Sequence, residues 1–266
     1  QVEAVFKADY KRVTAAHPQI KKEFKAALDE LVDVGTYYAK VTGCGEYGGE
    51  VVKPFRVTHV DFSKFPDLTL GQGWYMQETA TIGDGDTMIM DYIIATGLIT
   101  GSKEGDKTYF RPDNNLTRGQ LCTILLRAAG EEAPDVAYDA KFSDLEAGRY
   151  YVDAVNWAYE KEIVHGSQGR FRPNDNVSRQ ELAVMLANYA EYKGADTKAD
   201  VNLSKWSDGA QVRSWAQPAV KYLCSIDAMG GSDKLDPAGT ATRAQACKMI
   251  AMVTHDVLDQ VAEPVA

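Results

Sequence analysis

The stretch that decides the fold is Asn176-Val177-Ser178-Arg179-Gln180-Glu181-Leu182. Ser178 and Glu181 make a capping box, the hydroxyl accepting from the N3 amide and the carboxylate from the N-cap amide, ahead of the apolar run Leu182, Met185, Leu186, Tyr189. Arg179 then falls at N1, facing the positive end of the helix macrodipole, where a cation costs from a few tenths to about 1 kcal/mol. A single such arginine carries no information. The chain places it three times: Thr117-Arg118-Gly119-Gln120 and Thr242-Arg243-Ala244-Gln245 repeat the order hydroxyl, Arg, any residue, Glu or Gln. The apolar stripes Leu121, Ile124, Leu125 and Met249, Ile250, Val253 follow them.

More of the unit aligns upstream of the arginines. Leu98-Ile99-Thr100-Gly101, Ile163-Val164-His165-Gly166 and Ala228-Met229-Gly230-Gly231 end on glycines spaced 65 residues apart. Phe110-Arg111-Pro112 returns as Phe171-Arg172-Pro173 and, more faintly, as Leu235-Asp236-Pro237. Phe65-Pro66-Asp67, Phe142-Ser143-Asp144 and Trp206-Ser207-Asp208 mark the three beginnings. The aromatic-to-glycine span is longer in the first unit, which predicts an insertion of about a dozen residues within Thr69 to Thr87.

Each unit reads as helix, glycine-terminated turn, irregular loop, helix. In the second, Val152, Val155, Tyr159 and Ile163 lie on one face of a helix that Gly166 ends at positive φ, and Pro173 keeps the loop from continuing it. In the third, Pro218 takes an early helical position, where its missing N–H costs nothing. One such hairpin has too little apolar surface to fold alone, whereas three can share a core.

The stretch Phe142 to Gly194, with "FSDLEAGRYYVDAVNWAYEKEIVHG" and "FRPNDNVSRQELAVMLANYA", closely resembles the S-layer homology family, Ser178-Arg179-Gln180-Glu181 standing at that family's T-R-A-E motif. The three segments 65–131, 142–194 and 206–258, of which the outer two resemble the family more weakly, cover most of the chain. The resemblance implies an all-α fold of three helix-loop-helix repeats in a pseudo-threefold bundle, with an additional N-terminal helical segment and linker over 1–64. It implies non-covalent anchoring of a secreted protein to the bacterial cell wall, and so an extracellular location at the wall or S-layer. The ligand it implies is a pyruvylated secondary cell wall polysaccharide, or another peptidoglycan-linked glycan, held in grooves between neighbouring repeats.

A helix N-terminus offers unpaired N–H groups and positive potential, so an added Arg makes a site for a carboxylate such as that of a pyruvyl ketal. On this reading Arg118, Arg179 and Arg243 are the anion contacts. Asp67, Asp144 and Asp208 hydrogen-bond sugar hydroxyls or brace the arginines, and equally read as turn caps. Trp74, Tyr151 and Trp215, with Tyr75 and Tyr150 beside them, offer faces for sugar stacking, and Gly101, Gly166 and Gly231 belong to the same grooves. Thr117, Ser178 and Thr242 read first as caps, Phe110 and Phe171 as core plugs, and the alternative for each Arg is an ion pair with a neighbouring unit's Asp. Gln120 and Gln245 keep the cap but remove a charge near the arginine, while Asp236 stands where the other loops carry Arg111 and Arg172 and would repel an anion. Unequal sites are therefore expected, with Arg179 the most secure contact. Arg179→Ala is expected to weaken polymer binding without loss of thermal stability.

Over 266 residues, a net charge of −9 and a pI near 5.0 argue against nucleic acid or anionic lipid as the main partner. An anionic polysaccharide then requires local positive pockets and an affinity that falls with salt. No apolar run approaches a membrane span, and Gln1 with neither signal peptide nor initiator Met ahead of it reads as a trimmed mature protein or a fragment of a longer one. Cys44, Cys122, Cys224 and Cys247 lack metal-ligand spacing; Cys122 and Cys247 read as small core residues, with a Cys224–Cys247 bridge left open. The four histidines are scattered, no H-E-x-x-H or G-x-S-x-G is present, and Asp84-Gly85-Asp86 lacks the oxygen ligands that should follow in a calcium loop. The chain reads as a binding protein with no catalytic constellation, metal or cofactor.

Ahead of the units, Ile20, Phe24, Leu28, Leu31, Val34 and Tyr38 trace a stripe that predicts a helix from His17 to Val41. Gly43-Cys44-Gly45-Glu46-Tyr47-Gly48 matches the dinucleotide fingerprint, but it follows that helix and Pro54 stands where the next should run, so it reads as a mobile loop. Phe55 to Phe62, "FRVTHVDF", reads as a short strand or an extended linker. Two further functions stay open: a protein-interaction scaffold at the cell surface, and the anchor of a larger exported enzyme.

Overall fold

The computed structural model describes residues 35–42, 50–57, 62–77, 79–82, 87–132 and 141–261. The predicted helix over 17–34, the glycine loop 43–48 and the Asp84–Asp86 turn lie outside these residues.

Strand β1 (Gly35–Thr42) pairs antiparallel with β2 (Glu50–Val57), Gly35 opposite Val57 and Thr42 opposite Glu50. This corrects the helix predicted over 35–41, and β2 begins before the predicted Phe55. Thr36, Tyr37, Tyr38, Val41 and Thr42 are in register with a partner rich in valine, and this density of β-branched and aromatic residues outweighs a helical stripe that ended at Tyr38. The described residues are mainly helical, as expected, with two antiparallel strand pairs in addition.

Six α-helices follow among the described residues: α1 (Ile89–Ala95), α2 (Arg118–Ala129), α3 (Val152–Glu160), α4 (Arg179–Tyr192), α5 (Gln217–Ser225) and α6 (Arg243–Val261). None is long and apolar enough to cross a membrane. The extra length before α1 contains a 3₁₀ turn, Trp74–Met76, and a bridge from Thr81 to Met88. A short hairpin that the sequence reading did not foresee, β3 (Ser102–Glu104) with β4 (Lys107–Tyr109), lengthens the segment between Gly101 and Phe110.

The principal helix pairings run between units. α2 packs on α3, α4 on α5, and α6 on α1, so the second helix of each unit leans on the first helix of the next and the last closes on the first, and α4 also packs on α6. Buried side chains from all six helices form one cluster. At its centre Leu116, Val177 and Ala241, each immediately before a helix cap, are fully buried and joined by a closed triangle of backbone hydrogen bonds. Leu116 N–H donates to Ala241 O at 3.0 Å, Ala241 N–H to Val177 O at 3.0 Å, and Val177 N–H to Leu116 O at 2.9 Å. No unit can complete this ring by itself, which fixes the three arginine-bearing helix starts around one point.

The helix ends differ from the prediction. Gly166 does not end α3; Glu162 does, in the left-handed region at φ 58°, as Gly97 (68°) and Asp227 (55°) do in the other units. Each non-glycine residue there costs on the order of 1 kcal/mol, offset by N–H groups that turn back onto the helix: Ile163 and Val164 to Ala158 O, Ala228 and Met229 to Leu223 O. Gly166 is glycine because a Cβ would stand 2.2 Å from the Phe142 ring. The third-unit counterpart is Gly230, whose Cβ would meet Trp206 at 2.5 Å; Gly231 is one residue out of register.

Cys122, Cys224 and Cys247 are buried and free, which excludes the Cys224–Cys247 bridge. Desolvation pushes the Cys122 and Cys247 thiols up to about 12 and Cys224 to about 11, so all three stay protonated.

Candidate functional site

Three loops carry the repeated geometry. Both carboxylate oxygens of Asp67 accept backbone N–H groups, from Phe110 at 2.9 Å and Arg111 at 2.6 Å. Asp144 does the same for Phe171 (2.8 Å) and Arg172 (2.7 Å), and Asp208 for Leu235 and Asp236 (2.8 Å each). The clamp holds Arg111, Arg172 and Asp236 at positive φ of 56°, 63° and 47°, a left-handed turn ahead of a proline that side chains seldom adopt. Burial acts to raise the Asp144 and Asp208 pKa values, but the N–H bonds outweigh it and hold both carboxyls below the usual range. The three aspartates thus brace the loops.

That turn aims a carbonyl at the preceding unit's arginine. Arg118 Nε–H donates to Phe171 O at 3.0 Å, Arg179 to Leu235 O at 2.7 Å, and Arg243 to Phe110 O at 2.8 Å. Each groove therefore joins an arginine of one unit to the loop of the next, with the third arginine reaching Phe110 of the first unit. Arg118 and Arg243 also lie over the Phe171 and Phe110 rings, 4.7 and 5.2 Å from the centroids, whereas Leu235 gives Arg179 no such face.

The helix amides proposed as anion donors are not available. Arg118 N–H bonds to Asp175 O and Gly119 N–H to Pro173 O; Arg179 and Gln180 bond to Gly239 O and Pro237 O; Arg243 and Ala244 to Asn114 O and Pro112 O. The N3 amides go to the capping hydroxyls of Thr117, Ser178 and Thr242. Loop carbonyls have taken the position a ligand anion would occupy, and this also explains why arginine is tolerated at N1: incoming oxygens compensate the dipole. An anion there must be held by side chains and not by these amides.

The three guanidiniums are not equivalent. Arg118 is 6% exposed, with Nη1 3.2 Å from Glu181 Oε1 and Nη2 3.5 Å from His165 O. Glu181 divides its oxygens: Oε2 accepts from Ser178 N–H and Oγ–H, while Oε1 takes Arg118 and, at 2.9 Å, Arg172 Nη2. Burial would raise the Glu181 pKa, yet the Ser178 bonds and the two arginines bring it below its ordinary value. Arg179 and Arg243 are half-buried, and among the described residues their Nη groups make no hydrogen bond or ion pair within 4 Å. Asp236 and Asp208 are felt electrostatically by Arg179, Asp67 and Arg111 by Arg243, and Arg111 is itself paired with Glu104 of β3. Beside the third loop a cleft of about 590 Å³ is lined by Ser207, Asp208, Gln211, Lys234 and Asp236.

Of the predicted stacking residues, Trp74 and Trp215 are 47% and 55% exposed. Trp74 stands edge-on to Tyr75, and Trp215 belongs to a 3₁₀ turn, Ser214–Ala216, packed on α4 beside the Arg213 N–H bond to Gln180 Oε1. Tyr151 is corrected: at 2% exposure it is a core residue filling the space that Gly119 leaves. Its neighbour Tyr150, 63% exposed, is the outward-facing aromatic ahead of α3. Gly101, Gly166 and Gly230 serve aromatic packing. Sequence reasoning also missed Glu181 as an ion-pair partner, since its capping role accounted for it; the signal was the lone Glu among two Gln at the N3 positions.

Residues 141–183 match the family described as S-layer homology domain. The chain carries an S-layer homology domain. The domain contains Asp144, Tyr150, Phe171, Arg172, Arg179 and Glu181, one loop with its clamp and one arginine-bearing helix start. Similarity extends further along the chain to the amylopullulanase of Thermoanaerobacterium thermosulfurigenes, 27% identical over 247 residues (90% of this chain, 13% of that protein). The surface-layer 125 kDa protein of Lysinibacillus sphaericus is 28% identical over 157 residues (57% and 12%), and the S-layer protein sap of Bacillus anthracis 25% over 165 residues (61% and 19%). The chain thus spans 12% to 19% of the length of these relatives.

Proposed function

We propose that this chain anchors an exported protein to the bacterial cell wall by binding an anionic wall polysaccharide, its carboxylate-bearing substituents such as pyruvyl ketals entering the grooves where one unit's arginine meets the next unit's loop. On this reading the three units are tandem S-layer homology repeats around a pseudo-threefold axis. The observation that carries it is the state of Arg179 and Arg243: each is fixed through Nε to a loop carbonyl, with its Nη groups unpartnered among the described residues. A guanidinium held at one edge and open at the other presents a preorganised fork, which matches a carboxylate in two parallel hydrogen bonds. The exposed Trp74 and Trp215 supply apolar faces for sugar rings. The domain match and the S-layer relatives support a cell-surface location, and the amylopullulanase relative supports a module within a longer chain. The reading assigns this chain binding and no reaction.

Co-sedimentation with purified sacculi tests it. The chain is expected to pellet with sacculi, and to be released after mild acid removes the ketals or when Arg179→Gln and Arg243→Gln are combined in a variant that still melts cooperatively. A chain left in the supernatant, or one that pellets regardless of both treatments, contradicts the reading; the first result favours a scaffold.

A further inference from the structure

The three grooves also differ at the helix position that faces each arginine. The N3 residue of the helix following each arginine-bearing unit is Glu181 for Arg118, Gln245 for Arg179 and Gln120 for Arg243. Gln120 and Gln245 bring Oε1 back to the cap amides of Thr117 and Thr242 at 3.0 and 3.1 Å, which leaves an amide donor where Glu181 has its second carboxylate oxygen. Among the described residues, only in the Arg118 groove do two guanidiniums, those of Arg118 and Arg172, converge on one anionic oxygen.

We propose that Glu181 is a built-in occupant of its groove, a carboxylate supplied by the chain in the place a ligand carboxylate takes beside Arg179 and Arg243, so that the Arg118 groove is closed to anionic sugars while the other two are open. This rests on the proposed glycan binding for the identity of the guest; the closure itself rests on the contacts of Glu181. A free carboxylate entering at Arg118 must displace one that is covalently positioned and already hydrogen-bonded to the Ser178 cap, and such displacement gains no new ion pair. The acidic residues facing the other two arginines do not close their grooves this way. Asp67 and Asp208 hold loop amides, and Asp236 makes no ion pair with Arg179 within 4 Å. The second unit, whose sequence follows the family most closely, therefore closes a site.

Glu181→Gln is the decisive variant, because glutamine at N3 already caps α2 and α6 in this molecule and the fold tolerates it there. The full chain, wild type and variant, is titrated with a methyl glycoside carrying a 4,6-pyruvate ketal and followed by NMR at the Arg118 Nε–H and the Trp74 and Trp215 indole N–H groups. In the wild type the indoles shift saturably and Arg118 does not; in Glu181→Gln, Arg118 shifts as well. A saturable Arg118 response in the wild type, or a silent Arg118 in the variant when the indoles respond, overturns the proposal. A second arm needs no sugar: modification by phenylglyoxal, read by peptide mass, is expected to speed up at Arg118 by about tenfold in the variant, the weight of one charge-assisted hydrogen bond, with Arg179 and Arg243 unchanged. If the glycoside moves no resonance, the ketal reading fails, and an unaltered Arg118 reactivity in the variant then overturns the closure too.

Discussion

The Arg118 and Arg243 grooves are built alike and left in different states. In both, an aspartate clamps two loop amides, the loop's carbonyl takes the arginine Nε–H, and a phenylalanine ring lies under the guanidinium. In one, Glu181 completes the arginine's coordination; in the other, the Nη groups have no partner among the described residues. The scaffold of a groove and its availability are thus set by different residues. Three aspartates and three arginines build the frame, and the N3 side chain of the neighbouring helix decides whether the frame is filled from within.

The largest effects should come from the shared frame. Asp144→Ala and Asp208→Ala each strand two loop amides and release a left-handed residue, and each is expected to cost about 3 kcal/mol or more by denaturant unfolding. Similar losses would support a common scaffold; one loss below about 1 kcal/mol would break the comparison at its base. Next come the arginines themselves. Arg118→Ala leaves Phe171 O and the inward-facing oxygen of Glu181 with fewer donors and should cost about 3 kcal/mol, against about 1.5 kcal/mol for Arg243→Ala, which strands only Phe110 O. Equal losses would mean that Glu181 contributes nothing to the difference. By the same reasoning Arg179→Ala carries a stability cost, because Leu235 O loses its donor, and this revises the expectation of unchanged thermal stability.

Glu181→Gln should cost about 1 kcal/mol, since the cap survives while the buried Arg118 and the exposed Arg172 each lose an ion-pair partner. The smallest effect near neutrality belongs to pH. Asp144 and Asp208 have folded-state pKa values below their unfolded ones, so their contribution is present above the unfolded value of about 4 and is lost as pH falls through the lower folded value. The melting temperature should be flat from neutral pH to about 5 and decline below about 4. A rise on acidification would contradict the clamp.

The sequence made the frame legible because the frame is written in local patterns: a capping box, an aromatic-x-Asp opening and a loop proline, each repeated at near-constant spacing. It did not show which unit supplies which half of a groove, since that depends on α2 meeting α3 and α6 meeting α1. The choice between Tyr150 and Tyr151 turned on a rotation of one residue at the start of α3, and Gly230 against Gly231 on which glycine meets the Trp206 ring. Helix amides counted as free from local rules alone were taken by Asp175, Gly239 and Asn114, residues far along the chain. Over 35–41 a helical spacing of apolar residues coincided with strand-forming composition, and pairing with β2 decided between them.

The central claim is that guanidiniums whose Nη groups have no partner among the described residues hold the anion. Calorimetric titration of the full chain with the pyruvate-ketal glycoside, compared with the Arg179→Gln/Arg243→Gln double variant at matched salt, tests it most directly. The account predicts saturable binding in the wild type that weakens as salt rises, and none in the double variant. Equal affinity in the two proteins would contradict it.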